Sequence, residues 1–394
     1  MSKSAITAFI IGLFLVAASA WAEDFTFTRQ RLFPGFDGKM CKVQPSVATD
    51  GKGTVLLTWQ NLLLTGSDVF YGESMCRSTD GGKTFSKPLR QKACADVWEG
   101  KIRTAHYGNV FYSRRNGRWF GLGGAQSYDN DKSPMLSNGK PALVPMFYDV
   151  DATRGEFTSR KRLPVPFTSD WALPFGQILE CDDGDLLIPF YAAPPERASK
   201  SFCIVVRYRF NGNGELEVVR AGSPIADDTH ARGICEPSLA KLGDRHFITL
   251  RTDEQGLWAE SADGMAFSKP QPWRWDDGSV LENYNTQQHW LCTTNALYLA
   301  YTRKDANNGH VFRHRAPIFS AKFDADRKCL VRSTERVLVP ELGARLGNFV
   351  CCEAADDEAW LVTAEWMQSW GERLGVCEQY GSDNSLWLVK VRVR

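Results

Sequence analysis

The sequence of 394 residues lacks any imbalance of charge: 47 Lys and Arg stand against 46 Asp and Glu, for a formal net charge of +1. No field of one sign is left to recruit nucleic acid or an anionic membrane surface, so neither is expected as a partner. Histidine is scarce, at six residues. The 11 cysteines include no C-x-x-C pair and no His/Cys cluster at structural-zinc spacing, so neither a metal nor another cofactor is expected. No stretch repeats apolar residues at a 3.6-residue period over several turns, which predicts little helix. Beyond the N-terminus, no apolar run is long enough to cross a bilayer. No low-complexity linker or break in composition divides the chain, so residues 23–394 are expected to form a single domain.

The N-terminus is the exception. Lys3 precedes an apolar run over residues 5–16, and Ala20-Trp21-Ala22 follows. This is the pattern of a cleavable secretory signal over residues 1–22. The run is short for a membrane anchor. The mature chain is therefore expected to begin at Glu23 and to be secreted or periplasmic, without stable membrane insertion after cleavage. In an oxidising compartment the cysteines can form disulfides, and their odd number leaves at least one unpaired within a monomer.

What the chain has in quantity is aromatics and turn residues: 13 Trp, 23 Phe and 33 Gly. Short β-prone runs fall at residues 54–59, 185–191, 202–210, 246–251, 296–302 and 359–364. Asp50-Gly51, Asp183-Gly184, Asn211-Gly212 and Asp277-Gly278 punctuate them. The expectation is an all-β propeller or double-sheet fold with aromatic surfaces suited to sugar rings.

One octapeptide sharpens that expectation. Ser78-Thr79-Asp80-Gly81-Gly82-Lys83-Thr84-Phe85 is a tight turn by its own chemistry, since Gly supplies positive φ and Asp80 can accept backbone N–H groups. Ser261-Ala262-Asp263-Gly264-Met265-Ala266-Phe267 is a shorter copy. Two copies suggest a repeat architecture. The pattern Ser-x-Asp-x-Gly-x-Thr-aromatic resembles the Asp box (BNR repeat) of the sialidase, or neuraminidase, superfamily, whose fold is a six-bladed β-propeller. The box names a fold and is expected on the outer rim, away from any active site.

Other stretches extend the resemblance. Gly176, followed by Asp183-Gly184-Asp185-Leu186-Leu187-Ile188-Pro189, is similar to the family's central Asp-Gly-x-Leu-x-x-Pro stretch. Cys235-Glu236-Pro237-Ser238-Leu239, leading to Arg251, looks like the blade that holds the family's glutamate and second arginine. A strand, a turn and a return strand would bring Glu236 and Arg251 to one end of that blade; an ordinary solvated cross-strand pair is the other reading. Asp68, ten residues before Ser78, stands where the family carries its general acid/base, although Ser67-Asp68 also reads as a simple turn. Arg315, with Arg313 as runner-up, falls where a third arginine is expected, and a planar guanidinium suits capture of a carboxylate.

The departures are equally specific. Where sialidases open their first blade with Arg-Ile-Pro, this chain has Lys42-Val43-Gln44-Pro45, and Lys42 cannot reproduce a planar fork. The family's late nucleophilic tyrosine is absent from the segment around Gly347-Asn348-Phe349. Tyr284 is a spatial substitute or a stacking residue. Glu365 ends the last strand pattern without an assigned role. Arg103, His106, Tyr107 and His289 form a second polar set outside the family pattern. Three functions stay open. The resemblance implies an exported exo-glycosidase taking a terminal, acidic sugar from glycans, with Asp68 and Glu236 catalytic and Arg251, Arg315, Arg313, Lys42, Tyr284 and His106 binding substrate. The missing nucleophile fits a glycan-binding propeller without catalysis. The His/Tyr set fits a polysaccharide lyase on the same scaffold.

Overall fold

Six antiparallel sheets follow one another along the chain in the computed structural model, which describes residues 25–64, 68–134, 136–137, 140–141, 143–195, 200–305, 307–367 and 374–393. The expected signal segment lies outside the described residues. Blade 1 is Met40–Thr49, Val55–Leu63, Phe70–Ser78 and Leu89–Arg90. Blade 2 is Ile102–Ser113, Arg118–Tyr128, Leu143–Asp151 and Glu156–Arg162, with Val97–Glu99 added beside its first strand. Blade 3 is Trp171–Pro174, Leu186–Ala193, Phe202–Phe210 and Leu216–Ala221, with Leu179–Glu180 pairing with its second strand. Blade 4 is Cys235–Leu242, Arg245–Arg251, Gly256–Ser261 and Gln271–Pro272. Blade 5 is His289–Cys292, Leu297–Tyr301 and Ile318–Asp324, edged by Cys329–Leu330 and Arg336–Val339. Blade 6 takes Phe349–Ala355, Glu358–Ala364 and Leu386–Val393 from the end of the chain and Phe25–Leu32 from its beginning. Phe25 pairs with Val393 and Leu32 with Leu386, so the ring is closed by its own termini. Such closure protects the sheet edges that an open array would expose.

Apolar side chains fill the seams between blades. Trp258, Trp273, Trp290, Phe247 and Phe323 pack between blades 4 and 5. Phe120, Phe147, Phe190 and Tyr208 do so between blades 2 and 3. The expected strands appear within a few residues of their predicted ends, and the described residues hold one short α-helix, Leu374–Gln379. All 11 cysteines are thiols in this structure.

Both predicted turns connect the third strand of a blade to its fourth. Ser78 Oγ donates to Asp80 Oδ1 at 2.7 Å, and Thr84 N and Oγ1 donate to Asp80 at 3.0 and 2.6 Å. Ser261, Asp263 and Ala266 repeat the arrangement. In an antiparallel meander these turns lie at the opposite end of the blades from the loops that precede each first strand. The two ends therefore divide the labour: staples on one, and the residues described next on the other.

One buried carboxyl has a consequence for stability. Glu73 lies in the seam between blades 1 and 2, where Gly108 N donates to its Oε2 at 2.6 Å, and burial raises its pKa to about 8. The folded state therefore keeps a proton that the unfolded chain releases above its ordinary pKa of about 4.5. That contribution is fully present below the unfolded pKa and is lost as pH rises towards 8. Glu73→Gln can still accept from Gly108 and should melt higher than the parent at pH 8.5, by an advantage on the order of 1–4 kcal/mol, with little advantage at pH 4.5. Equal pH dependence of melting in the two proteins would mean that Glu73 is not held neutral.

Candidate active site

The site is built at the ends of the blades where the first strands begin. Blade 4 enters its first strand through Glu236-Pro237-Ser238, with Glu236 at φ +49° and a bulge between Cys235 and Ser238. Cys235 pairs with Arg251 across the hairpin, which places the neighbouring Glu236 beside that arginine. Arg251 Nη1 is 2.6 Å from Glu236 Oε2. Burial opposes the Arg251 charge, but Glu236 outweighs it and the pKa ends above the ordinary value.

Blade 5 supplies the hub. Asn285, at φ +44°, sits in the left-handed region that Asn tolerates better than most residues. Its Oδ1 accepts from Arg251 Nη2 at 2.6 Å, and its carbonyl accepts from Arg315 Nη2 and Nε at 2.9 and 3.2 Å. Arg315 is buried because Gly347 leaves it room: a Cβ at Gly347 would meet Arg315 Cδ at 2.8 Å. Burial, followed by the nearby Arg251 and Arg345 charges, depresses the Arg315 pKa well below its usual value. Arg313 is half-buried over the Phe312 ring, and burial and Arg251 lower its pKa too. Arg345 approaches from the loop ahead of blade 6, its guanidinium 4.3 Å above Trp366 and 5.2 Å from Phe312. Burial takes its pKa to about 10, although Cys41 and Asp68 support the charge.

Asp68 stands on blade 1, in the loop between its second and third strands, at φ +57°. Tyr128 Oη donates to its carbonyl at 2.6 Å and accepts from Phe70 N at 3.2 Å. Asp68 acts electrostatically on Arg345 and on Tyr107 of blade 2. Tyr107 fits because Gly124 opposite it has no side chain; a Cβ there would lie 2.8 Å from the phenol oxygen. Tyr191 of blade 3 completes the ring: burial, and then Glu236, push its phenol far above the ordinary range. Blades 1 and 4 are opposite members of a ring of six, which sets the Asp68 and Glu236 loops on opposite sides of the axis, with Arg313, Arg315 and Arg345 brought in by blades 5 and 6 and Tyr107 and Tyr191 by blades 2 and 3.

Several expected residues lie elsewhere or do less than expected. Lys42 donates to the carbonyls of Asn384 and Gly35, at 2.9 and 3.1 Å, and is surrounded by the acids Asp383, Glu365 and Asp37. It is tied to the chain and does not stand in for an arginine. The blade-1 residue that matches Glu236 is Gln44, at φ +46° before Pro45 with the same bulge. His106 is turned away from Tyr107, as successive residues of a strand are. It is buried near Ala95 and Arg160, and burial, then Arg160, takes its pKa to about 4. His289 is a core residue bonded to Ser238 Oγ and Gln287 Oε1 at 3.0 and 2.9 Å. Glu365 is structural, at 3.0 Å from Arg31 and accepting from Trp387 Nε1 at 2.9 Å. Tyr284 is a rim residue, its ring edge-on to His314 and under the Lys304 ammonium. Sequence reasoning did not assign Asn285, Arg345 or Tyr191 to the site. Only the repeated x-Pro-Ser at Gln44 and Glu236 carried a readable signal of equivalent blade entries. Among the described residues no cluster of His, Cys, Asp and Glu could hold a metal ion.

No family model matches the chain, and no curated protein does. Solved structures do. A protein of unknown function from Dyadobacter fermentans is 16% identical with a TM-score of 0.66, over 93% of this chain and 99% of that one. The GH93 α-L-arabinofuranosidase of Fusarium graminearum, solved with arabinobiose, is 13% identical with a TM-score of 0.58, over 93% and 97%. Trypanosoma rangeli sialidase is 14% identical with a TM-score of 0.57, over 92% of this chain and 59% of its own. At identities this low the likeness speaks for the fold alone, and on that ground the chain is a six-bladed β-propeller of the sialidase type.

Proposed function

We propose that this protein is an exported exo-glycosidase that hydrolyses a terminal acidic sugar from a glycan. The observation that carries the reading is the group of guanidinium charges, Arg251, Arg315, Arg345 and Arg313, gathered against two carboxylates. Burial and mutual repulsion lower the pKa of Arg315 and Arg313, which marks a site short of negative charge. A substrate carboxylate supplies that charge and suits planar forks. In this reading the arginines hold the acid group, and Asp68 protonates the leaving glycosidic oxygen. From the opposite blade, Glu236 takes the proton of the group that attacks the anomeric carbon: either a water, or the Tyr191 hydroxyl, in which case a water deprotonated by Asp68 then displaces the tyrosine from the sugar and Glu236 returns its proton. A hydrophobic rim alone would bind sugars without this division of acid and base, so catalysis is favoured over simple glycan binding. The lyase reading loses His106 and His289, which the fold engages elsewhere.

Product analysis tests the reading. Incubation with acid-capped oligosaccharides should release a saturated acidic monosaccharide and a shortened glycan, with one water added per cleavage. An unsaturated product absorbing in the ultraviolet would instead indicate elimination, and binding without turnover would leave the propeller as a lectin.

A further inference from the structure

Trp98 is the most exposed large apolar side chain among the described residues, at 62%. It lies on the hairpin formed by Val97–Glu99 and the start of Ile102–Ser113, directly opposite Arg103. This hairpin leads into the first strand of blade 2, so it stands on the same end of the propeller as Asp68. It is also fixed there. The Arg103 guanidinium is sandwiched between the rings of Tyr71 and Tyr128, at 3.7 and 4.3 Å from their centroids. Arg103 Nη1 donates to Phe70 O at 2.6 Å and contacts Asp96 at 3.2 Å. Tyr128 in turn holds the Asp68 carbonyl. The indole is thus displayed on a rigid mount whose other end is the loop of the proposed acid. A Trp left in water on such a mount does nothing for the core, and directly opposite residues of an antiparallel pair share one face of the ribbon.

We propose that this hairpin is a sugar subsite on the leaving-group side of Asp68, with the Trp98 indole as the surface on which the sugar ring stacks. The proposal rests on the reading of Asp68 as the acid that protonates the glycosidic oxygen. The sugar beyond that oxygen must lie beside Asp68, and the hairpin is anchored to the Asp68 loop while the arginines lie on blades 4 to 6. Its occupant is a pyranose of the glycan being shortened, presenting its apolar C–H face; no charge is required of it.

The test uses calorimetric titration in the slow Asp68→Asn background, with sialyllactose and glucuronate-capped lactose, each compared with its free acidic monosaccharide. Trp98→Ala should weaken binding of the capped lactose that the site accepts by about 3- to 15-fold and leave its free monosaccharide unchanged, whereas Trp98→Phe should retain most of the affinity. Equal affinity for the capped lactose with and without Trp98 overturns the subsite while leaving the acidic-sugar site standing. Capped lactose that binds through Trp98 while neither free acidic monosaccharide binds keeps the subsite and overturns the acidic-sugar reading. No binding of any of these glycans overturns both.

Discussion

Replacing Asp68 with Asn should slow turnover of a natural glycoside by roughly 10²–10⁴-fold, the usual worth of a positioned general acid. The amide keeps the shape of the side chain and its place at the end of the Tyr128 hydrogen bond, which is made through the backbone. What it loses is the proton it could deliver. A substrate with a good leaving group, such as an aryl glycoside, needs little protonation, so its first step should suffer far less. Binding should hardly change in either case, because the lost interaction belongs to the transition state. Rate measurements on both substrate types check this. Equal rates of parent and variant on the natural glycoside would remove Asp68 from the chemistry.

The arginines should show the opposite pattern, an effect on affinity that depends on ligand charge. Arg315→Ala or Arg345→Ala should weaken an acidic sugar by about 2–5 kcal/mol, the cost of losing one partner of a desolvated charge pair. A neutral analogue, with hydroxymethyl in place of carboxylate, should lose much less. Arg315 is the cleaner probe, since among the described residues its guanidinium donates to the Asn285 carbonyl, and Glu236 keeps Arg251 as its partner when it goes. Arg251→Ala would also release Glu236 and the Asn285 side chain, mixing binding with disorganisation. Equal losses for charged and neutral ligands would mean that the arginines do not read the carboxylate.

How much of this was legible depended on range. Turn chemistry is local, so Asp80-Gly81 announced its hairpin and, with its copy at Asp263-Gly264, the propeller. Glu236 and Arg251 were also legible, because one hairpin brings them together. Asn285, Arg345 and Tyr191 come from different blades, and no pattern along the chain says that they meet. Lys42 was expected near the place of the missing first-blade arginine, but its ammonium is held by the carbonyls of Asn384 and Gly35, and Asn384 lies at the far end of the chain where no local pattern shows it. His106 misled by one residue, since strand alternation gives the central face to Tyr107. The closing strand Phe25–Leu32 gave no signal of its partner, which lies at the far end of the chain.

The most direct measurement is a crystal structure of the Asp68→Asn variant with an acid-capped oligosaccharide bound. The expected result has the sugar carboxylate within hydrogen-bond reach of the Arg251, Arg315 and Arg345 guanidinium groups, the glycosidic oxygen next to residue 68, and the anomeric carbon open towards Glu236. A glycan bound with its carboxylate turned to solvent, or seated away from these arginines, would contradict the assignment of the site.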